Sequence, residues 1–230
     1  MSLAKDVKKE LAKAADKQKA KFLMRFFKTG EGQYGYGDLF LGINVPVQRQ
    51  IARSFRDLPL NEIQILLKSK FHEHRLVALL ILCDQFSKTK DEKIVEFYLS
   101  NLKLANNWDL VDSSAHQILG NYLAGKDRST LYRLAKSDNL WKRRVSIVST
   151  FAFIRKKDLD DTFKISEMLL NDKQDLMHKA VGWMLREAGK KDEKALIKFL
   201  DKNYKKMPRT ALRYSFERLS ENKRKNYMKK

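Results

Sequence analysis

Apolar residues recur at three- and four-residue steps along most of the chain, a pattern typical of amphipathic α-helices. Prolines, which interrupt helices, occur only at Pro46, Pro59 and Pro208. We therefore predict an all-α protein. After the second proline the predicted helices span residues 61–67, 75–86, 91–99, 111–122, 129–135, 143–154, 159–170, 176–188, 193–200 and 209–219.

The segment 30–38 departs from this pattern, because its four glycines disfavour a helix. We predict a loop here, joining N-terminal helices within residues 1–29 to a repeat body at residues 39–230, all in one domain of residues 1–230. The loop lacks the strand–glycine–helix setting of a dinucleotide site and the GK[ST] ending of a P-loop. We therefore predict no nucleotide-binding role for it.

The helices of the body recur with a period. Their midpoints lie roughly 35 residues apart, as in stacked helical-hairpin repeats, and are marked by Arg75, Leu110, Arg144, Lys179 and Arg213. This period predicts an α-solenoid of antiparallel helix pairs, curved into a concave surface that suits an extended ligand. No tetratricopeptide or ankyrin fingerprint is present, and an irregular helical bundle is the alternative.

The charge of the chain narrows the choice of partner. Its 48 Lys and Arg residues outnumber 28 Asp and Glu, for a formal net charge of +20. Such a field attracts polyanions, and counterion release drives binding to phosphates. Nucleic acid is the leading partner, while an anionic membrane or a merely basic surface stays open because charge alone selects no partner.

The cellular setting follows from what the sequence lacks. Cys83 is the only cysteine, so no disulfide can form within a monomer, and a packed, unreactive thiol is expected. Residues 1–21 lack the apolar stretch of a signal peptide, and no segment is long and apolar enough to cross a bilayer. We expect a reduced, cytoplasmic protein without a membrane partner, cofactor or metal, since no metal-ligand spacing occurs among His72, His74, His116 and His178.

Candidate chemistry centres on residues 106–112, Asn-Asn-Trp-Asp-Leu-Val-Asp. On a helix of about 100° per residue, Asp112 lies about 40° from Trp108 at the border of the apolar stripe, whereas Asp109 lies about 100° away on the polar side. Asp112 is either a helix-start or salt-bridge carboxylate beside a core tryptophan, or a preorganised group that stabilises a developing cation or orients a water.

A second tryptophan, Trp183, lies opposite the apolar stripe of its predicted helix, beside Lys179, Arg186 and the small residues Ala180 and Gly182. This pattern predicts an accessible indole among basic side chains, with room beside it for a backbone or a base. The alternative is a partner helix that covers the ring.

Arg144 shares a helix side with Trp141, and a guanidinium on that side must find an anion. The anion is either a buried carboxylate, such as Asp112 or Glu187, or a phosphate, which the bidentate fork of arginine suits. Arg143 lies about 100° away, so we expect only one of the two arginines to face the groove.

Several segments together resemble the AlkD-type DNA alkylation-repair glycosylases, a family built from HEAT-like repeats. They agree in order and spacing across almost the whole chain, at residues 40–46, 107–112, 138–144, 178–187 and 207–214. The resemblance implies a HEAT-like α-solenoid that binds duplex DNA in its concave groove and hydrolyses the N-glycosidic bond of purines alkylated at N3 or N7. We expect it to act as a monomer.

The resemblance also implies roles for single residues. It makes Asp112 the catalytic carboxylate and Trp108 and Trp183 the aromatic walls against the lesion nucleoside and its backbone. Arg144 becomes the cation beside the site. Further DNA-binding candidates are Trp141, Lys179 and Arg186.

The implied chemistry is coherent. A cationic alkylpurine is already an activated leaving group, so a carboxylate need only stabilise an oxocarbenium-like sugar and place a water, while electron-rich indoles favour the cationic lesion. No lysine is identifiable as a Schiff-base nucleophile, and we expect no lyase activity.

Two rivals remain open from the sequence, a non-catalytic binder of DNA and a helical scaffold for an acidic protein. The N-terminal region departs from the family pattern, and the aromatic residue that some members offer to DNA there corresponds to Phe26 or is absent.

Overall fold

The computed structural model describes residues 3–228. This part of the chain contains helices and no strand, apart from one isolated bridge between Leu39 and Phe71, so the all-α prediction is confirmed. The helices are α1 (Ala4–Lys13), α2 (Lys17–Phe26), α3 (Val45–Ser54), α4 (Leu60–Leu67), α5 (His72–Thr89), α6 (Glu92–Ser100), α7 (Trp108–Ser114), α8 (Asn121–Leu123), α9 (Ser129–Ala135), α10 (Leu140–Ser149), α11 (Phe151–Arg155), α12 (Asp160–Met168), α13 (Asp175–Gly189), α14 (Glu193–Asn203), α15 (Arg209–Ser215) and α16 (Glu221–Met228).

The chain forms two compact units, Met1–Ser114 and Ala115–Lys230. In the first unit, α5 packs against α1, α3, α4, α6 and α7. The run from Leu76 to Cys83 is buried along its whole length, as expected for a helix that is apolar on all sides. Helix α5 is therefore the core of this unit, and α7 is one of the helices laid on it.

The second unit consists of packed helix pairs. Helix α10 packs on α9, α12 on α13, and α13 on α14, while contacts between successive pairs join α9 to α12, α10 to α13, and α13 to α15. A repeated unit that packs on its neighbours in this way is the architecture that the sequence period predicted.

The predicted helices of the body all lie on observed ones, with three local differences. The predicted helix 111–122 starts earlier, at Trp108, and includes a π-helical turn at His116–Gly120. The predicted helix 143–154 is divided at Thr150, whose buried hydroxyl donates to the carbonyl of Ile147. The last predicted helix ends at Ser215, whose hydroxyl donates to the carbonyl of Leu212, an alternative to helical bonding that serine and threonine offer.

The chain that follows the glycine-rich loop is fixed to the start of α5. The amide of Leu39 donates to the carbonyl of Lys70 at 3.0 Å, and the amide of His72 donates to the carbonyl of Leu39 at 2.8 Å. The carboxylate of Glu73 accepts from the amides of Leu41 and Gly42. These bonds place the end of the loop beside α5.

Gly42 is required at its position for two reasons. Its φ of 86° lies in the left-handed region, and a Cβ there would stand 2.1 Å from the carbonyl oxygen of Asp16. The close approach brings the start of α2 against the chain that precedes α3. No helix within residues 3–228 combines the length and apolar character needed to cross a bilayer.

Candidate functional site

Helix α7 carries Trp108 and Asp112 one turn apart, and both side chains are partly exposed. Leu110, Val111 and Ser114 of the same helix are buried. The apolar side of α7 therefore faces the core, and the tryptophan and the carboxylate occupy the border of that side, where both can be reached from solvent.

The indole of Trp108 is supported by an aromatic cluster. It stacks on Phe27, with ring centroids 5.2 Å apart and planes 21° from parallel, and Phe27 in turn stacks on Phe40 at 5.1 Å. Phe26 meets the indole edge-on at 6.1 Å and stacks on Phe22 at 6.2 Å. Phe22 and Phe26 are 57% and 52% exposed, so the aromatic surface beside Trp108 continues along α2 to solvent.

Beneath this cluster lies a buried network of polar side chains. The imidazole of His72 places Nε2 2.7 Å from Oδ2 of Asp109 and Nδ1 3.6 Å from Oδ2 of Asp38. Arg75 approaches the same Asp38 oxygen to 2.5 Å, and Asn106 donates to the other at 3.2 Å. The network thus joins α5, the end of the glycine-rich loop and the start of α7.

The charges of this network set the protonation of its members. Burial lowers the pKa of His72, but the negative charge of Asp109 and its hydrogen bond to His72, together with the nearby carboxylate of Asp38, outweigh burial and raise the pKa to about 9. Burial raises the pKa of Asp38, yet its contacts with the cations of His72 and Arg75 hold it below its ordinary value of 3.8. His72 is therefore an imidazolium at neutral pH.

The placement of Asp109 on the polar side of its helix is wrong. Its side chain is only 13% exposed and bonds to buried His72. The helical wheel failed because α5, which carries His72, packs on a face of α7 that the apolar pattern of α7 alone does not mark.

Helix α13 presents the second tryptophan under different conditions. Trp183 is partly exposed and contacts Phe151, with centroids 5.8 Å apart and planes at 45°. Lys179 pairs with Asp175 at 2.8 Å, and Arg186 pairs with Glu217. The indole therefore lies among basic residues, as the pattern of α13 predicted.

The expected space beside Gly182 is absent. A Cβ at Gly182 would stand 2.5 Å from Cβ of Tyr214 and 2.6 Å from the carbonyl oxygen of Ala211. The small residue therefore lets α15 approach α13 closely, and the prediction of room for a DNA backbone or a base at this point is wrong.

The two arginines of α10 serve different contacts. Arg143 pairs with Asp172 at 2.6 Å and donates to the carbonyls of Ser137 and Asp138. Arg144 is only 4% exposed, and its guanidinium donates to the carbonyl of Leu176 in the first turn of α13. Arg143 thus fastens the loop before α10, whereas Arg144 links α10 to α13.

Trp141, also predicted to bind DNA, is 8% exposed. Its side chain packs within the second unit, together with Val145 and Val148 of the same helix, which are fully buried. A ring in this position contributes to the core and does not offer a face to a ligand.

Helix α15 adds exposed cations. Arg209 and Arg213 border a surface depression of about 430 Å³, together with Thr210, Tyr214 and Glu217. Among residues 3–228, no three or more histidine, cysteine, aspartate or glutamate side chains are grouped in a way that could hold a metal ion.

Sequence reasoning did not find the network around His72. Its members are Asp38, His72, Arg75, Asn106 and Asp109. They are spread over 72 positions of the chain, and no local spacing signals that they meet. The one available signal was a histidine and an arginine at the polar start of an otherwise apolar helix.

The chain was also compared with known proteins. A family model described as "DNA alkylation repair enzyme" matches residues 7–219. A solved structure titled "Predicted DNA alkylation repair enzyme from Enterococcus faecalis" aligns with a TM-score of 0.73 at 19% identity, covering 90% of this chain and 97% of that one. The structure of AlkD2 from Streptococcus mutans aligns with a TM-score of 0.57 at 17% identity, covering 89% and 99%. No curated protein matches the sequence significantly.

Proposed function

The chain belongs to the DNA alkylation repair enzyme family, and on that premise we propose that it is a monofunctional DNA glycosylase acting on cationic N3- or N7-alkylated purines in duplex DNA. Family membership confirms the resemblance found in the sequence and supports a role in DNA repair. The observation that carries the finer proposal is the pairing of a partly exposed tryptophan, Trp108, with a partly exposed carboxylate, Asp112, on adjacent turns of α7.

Asp112 supplies the negative charge that the reaction needs. When the N-glycosidic bond breaks, its electron pair leaves with the purine, which becomes neutral, and positive charge passes to the sugar. A fixed carboxylate beside the sugar stabilises that charge more in the transition state than in the substrate. A water held by the same carboxylate then attacks the anomeric carbon, and its proton passes to that carboxylate.

The aromatic surface around Trp108 supplies selectivity. A cationic base is attracted to the electron-rich face of an aromatic ring, whereas a neutral base is attracted less. Trp108 is backed by Phe27, and the exposed ring of Phe26 lies beside it. We assign to Phe26 the N-terminal aromatic contact that the sequence left open.

Basic residues of α13 and α15 hold the DNA backbone in this proposal. Lys179 pairs with Asp175 and Arg186 pairs with Glu217, carboxylates that are at least half exposed, and such pairs contribute only about 0–1 kcal/mol. Phosphates can therefore displace those carboxylates at little cost. Arg186 also contacts Glu187 at 3.4 Å, which it keeps in this proposal. Arg209 and Arg213, both exposed, extend the same basic surface.

Arg144 acts indirectly in this proposal. Because it is nearly buried and bonded to the carbonyl of Leu176, it steadies the start of the helix that carries Lys179 and Trp183. We leave Trp141 out of the proposed contacts because its ring is buried.

Release of free alkylpurine from methylated duplex DNA tests the proposal. Under single-turnover conditions the wild type should release base, and Asp112→Asn should be slower by about 100-fold or more, the usual effect of removing one stabilising group. Affinity for the duplex should not fall, because the variant removes a charge that repels phosphate. Asp84→Asn, which changes a partly exposed carboxylate on α5, is the matched control and should retain full activity.

The rival functions give different results in the same assay. If the wild type binds duplex DNA but releases no base, the chain is a non-catalytic DNA binder. Equal binding to duplex DNA and to an unrelated polyanion such as heparin, again without release, would favour a scaffold for an acidic protein. Strand cleavage accompanying base release would contradict a monofunctional enzyme.

A further inference from the structure

We propose that His72 is a positioning residue for the reaction, which fixes the start of α7, and with it Trp108 and Asp112, by bridging Asp109 to Asp38. The inference rests on the glycosylase function proposed above. It concerns a buried side chain that is not among the proposed contacts with the substrate.

The first argument is the way α7 is attached. Asp109, the residue between Trp108 and the rest of its helix, is held by His72 at 2.7 Å. Asn106, two residues before the tryptophan, is held by Asp38 at 3.2 Å. Both attachments end in the same buried cluster, so the chain is fastened on either side of Trp108.

The second argument is that the same imidazole belongs to the aromatic stack. Its ring lies on Phe40 at 4.5 Å with planes 15° apart, and on Phe27 at 5.1 Å. Phe27 in turn supports the indole of Trp108. His72 therefore contacts both the polar attachment of α7 and the ring that backs its tryptophan.

The third argument is the balance of charge. The charged groups that face His72 are Asp109 from α7, Asp38 from the end of the loop, and Arg75 from its own helix. Two carboxylates are balanced by two cations only while His72 is protonated. Loss of one charge from such a cluster is costly, since it leaves a buried charge without a partner, and the intact cluster therefore defines geometry.

The attachment of α7 should persist only at pH values at which His72 is protonated. With its pKa raised to about 9 by Asp109 and Asp38 against the opposing effect of burial, the imidazolium persists through neutral pH. Above that value Asp109 and Asp38 lose their shared cation. The start of α7 then loosens, and the rate of base release falls although DNA is still bound.

The test compares His72→Gln with His74→Gln. Both residues lie in α5 and are buried, at 2% and 7% exposure, but His74 bonds to Ser69 at 2.8 Å and takes no part in the network. Burial lowers the pKa of His74 to about 4, so it is uncharged over the tested range. Single-turnover rates and duplex dissociation constants are measured from pH 6 to 10.

We expect His72→Gln to slow base release by about 10- to 100-fold, as displacement of a catalytic group by about 1 Å does, with a dissociation constant within about twofold of the wild type. The alkaline fall of the wild-type rate near pH 9 should be absent from the variant. His74→Gln should keep both the rate and the alkaline fall. Equal rates for His72→Gln and wild type, or equal losses in both histidine variants, would overturn the proposal.

Asp109→Asn is the second variant, and it tests the proposal by itself if His72→Gln does not fold. Its side chain is less buried, and it removes the same ion pair from the other side. It should lower the rate at constant affinity, and an unchanged rate would overturn the proposal. Where His72→Gln folds, the double variant His72→Gln/Asp109→Asn should be no slower than the slower single one, because both remove one interaction. Additive losses would contradict a shared role.

A readout without catalysis separates this proposal from the glycosylase function. The chain has three tryptophans, so 5-fluorotryptophan labelling gives three fluorine resonances, and Trp108→Phe assigns one. That resonance should shift between pH 8 and 10 in the wild type and not in His72→Gln. If the resonance shifts in a wild type that releases no base, the glycosylase function is disproved, but the attachment of α7 by His72 stands. If the wild type is active and the resonance does not shift, the role of His72 is overturned.

Discussion

Helices α7 and α13 each carry a partly exposed tryptophan near charged residues, but they are held by different means. The start of α7 is attached by the ion pair of Asp109 with buried His72 and by a hydrogen bond that Asn106 donates to Asp38. Helix α13 is held by close packing on α15 at Gly182, and its cations Lys179 and Arg186 pair with the at least half-exposed carboxylates of Asp175 and Glu217. Helix α7 is thus held by charged and polar contacts, and α13 is held by close packing.

This difference matches the two tasks that we propose. Stabilising a transition state requires a carboxylate whose position does not change during the reaction, and α7 is built to hold Asp112 in this way. Binding phosphates requires positive charge within reach but little fixed geometry, and partly exposed cations such as Lys179 suffice. Changes at α7 should therefore act on rate, and changes at α13 on affinity.

The largest expected effect is on stability at alkaline pH. The pKa of His72 is about 9 in the folded protein against 6.5 for the ordinary group, so its protonation stabilises the fold fully below pH 6.5. That stabilisation, on the order of 3 kcal/mol, is lost as the pH rises through 9. Urea denaturation of the wild type and His72→Gln should show a stability difference that shrinks over this range.

His74 should give the opposite signature. Its pKa is lowered to about 4, so the stability that it confers is present above pH 6.5 and is lost as the pH falls towards 4. A change at α13, Lys179→Gln, should leave both the acid and the alkaline dependence of stability on pH unaltered. A stability difference between wild type and His72→Gln that stays constant from pH 6 to 10 would show that charge does not hold α7.

The corresponding test of α13 is a substitution that alters its packing on α15, Gly182→Ala. Alanine is the better helix former by about 1 kcal/mol, but its methyl group would meet Ala211 and Tyr214, and overpacking costs about 1–3 kcal/mol. We expect a net loss of up to about 2 kcal/mol in the free energy of unfolding, measured by urea denaturation.

Gly30→Ala is the control for this substitution. Its new methyl group would contact only the flexible side chain of Gln33, and stability should stay within about 0.5 kcal/mol. If Gly182→Ala were as stable as the wild type, close packing on α15 would not be what positions α13.

The contrast between the helices also explains what the sequence could predict. The position of Trp183 opposite the apolar stripe of α13 was predictable, because neighbours along one helix determine which side is buried. The period of the helix pairs was predictable for the same reason, since every pair repeats the same pattern of apolar residues.

The attachment of α7 through His72 and Asp38 was not predictable, because it depends on residues that come into contact only after folding. Asp38 and Asn106 are 68 positions apart, and His72 and Asp109 are 37 apart. Local patterns assigned Asp109 to solvent and left His72 without a role. Likewise, Gly182 indicated open space in the sequence, whereas α15 fills that space in the fold.

The tryptophans provide a smaller, paired test of rate against affinity. Trp108→Phe keeps a ring on Phe27 but weakens the attraction for a cationic base, so base release should fall about 10-fold, or 1.4 kcal/mol. Trp183→Phe should raise the duplex dissociation constant and leave the single-turnover rate at saturation nearly unchanged. Single-turnover rates and binding isotherms separate the two effects. A loss of affinity in the first variant and of rate in the second would reverse our assignment of tasks.

The smallest effect is expected at the exposed cations of α13. Lys179 pairs with Asp175, whose side chain is itself 58% exposed. Lys179→Ala should weaken duplex binding by about two- to fivefold at low salt and reduce the slope of log Kd against log salt by about one. Lys198→Ala, a change of an exposed lysine on α14, should leave that slope as it is. The slopes of both variants are measured from binding isotherms between about 50 and 200 mM salt, a range over which phosphate contacts weaken with salt. Equal slopes for Lys179→Ala and wild type would remove Lys179 from the proposed DNA surface, while an altered single-turnover rate at saturation would show that α13 also takes part in positioning the reacting groups.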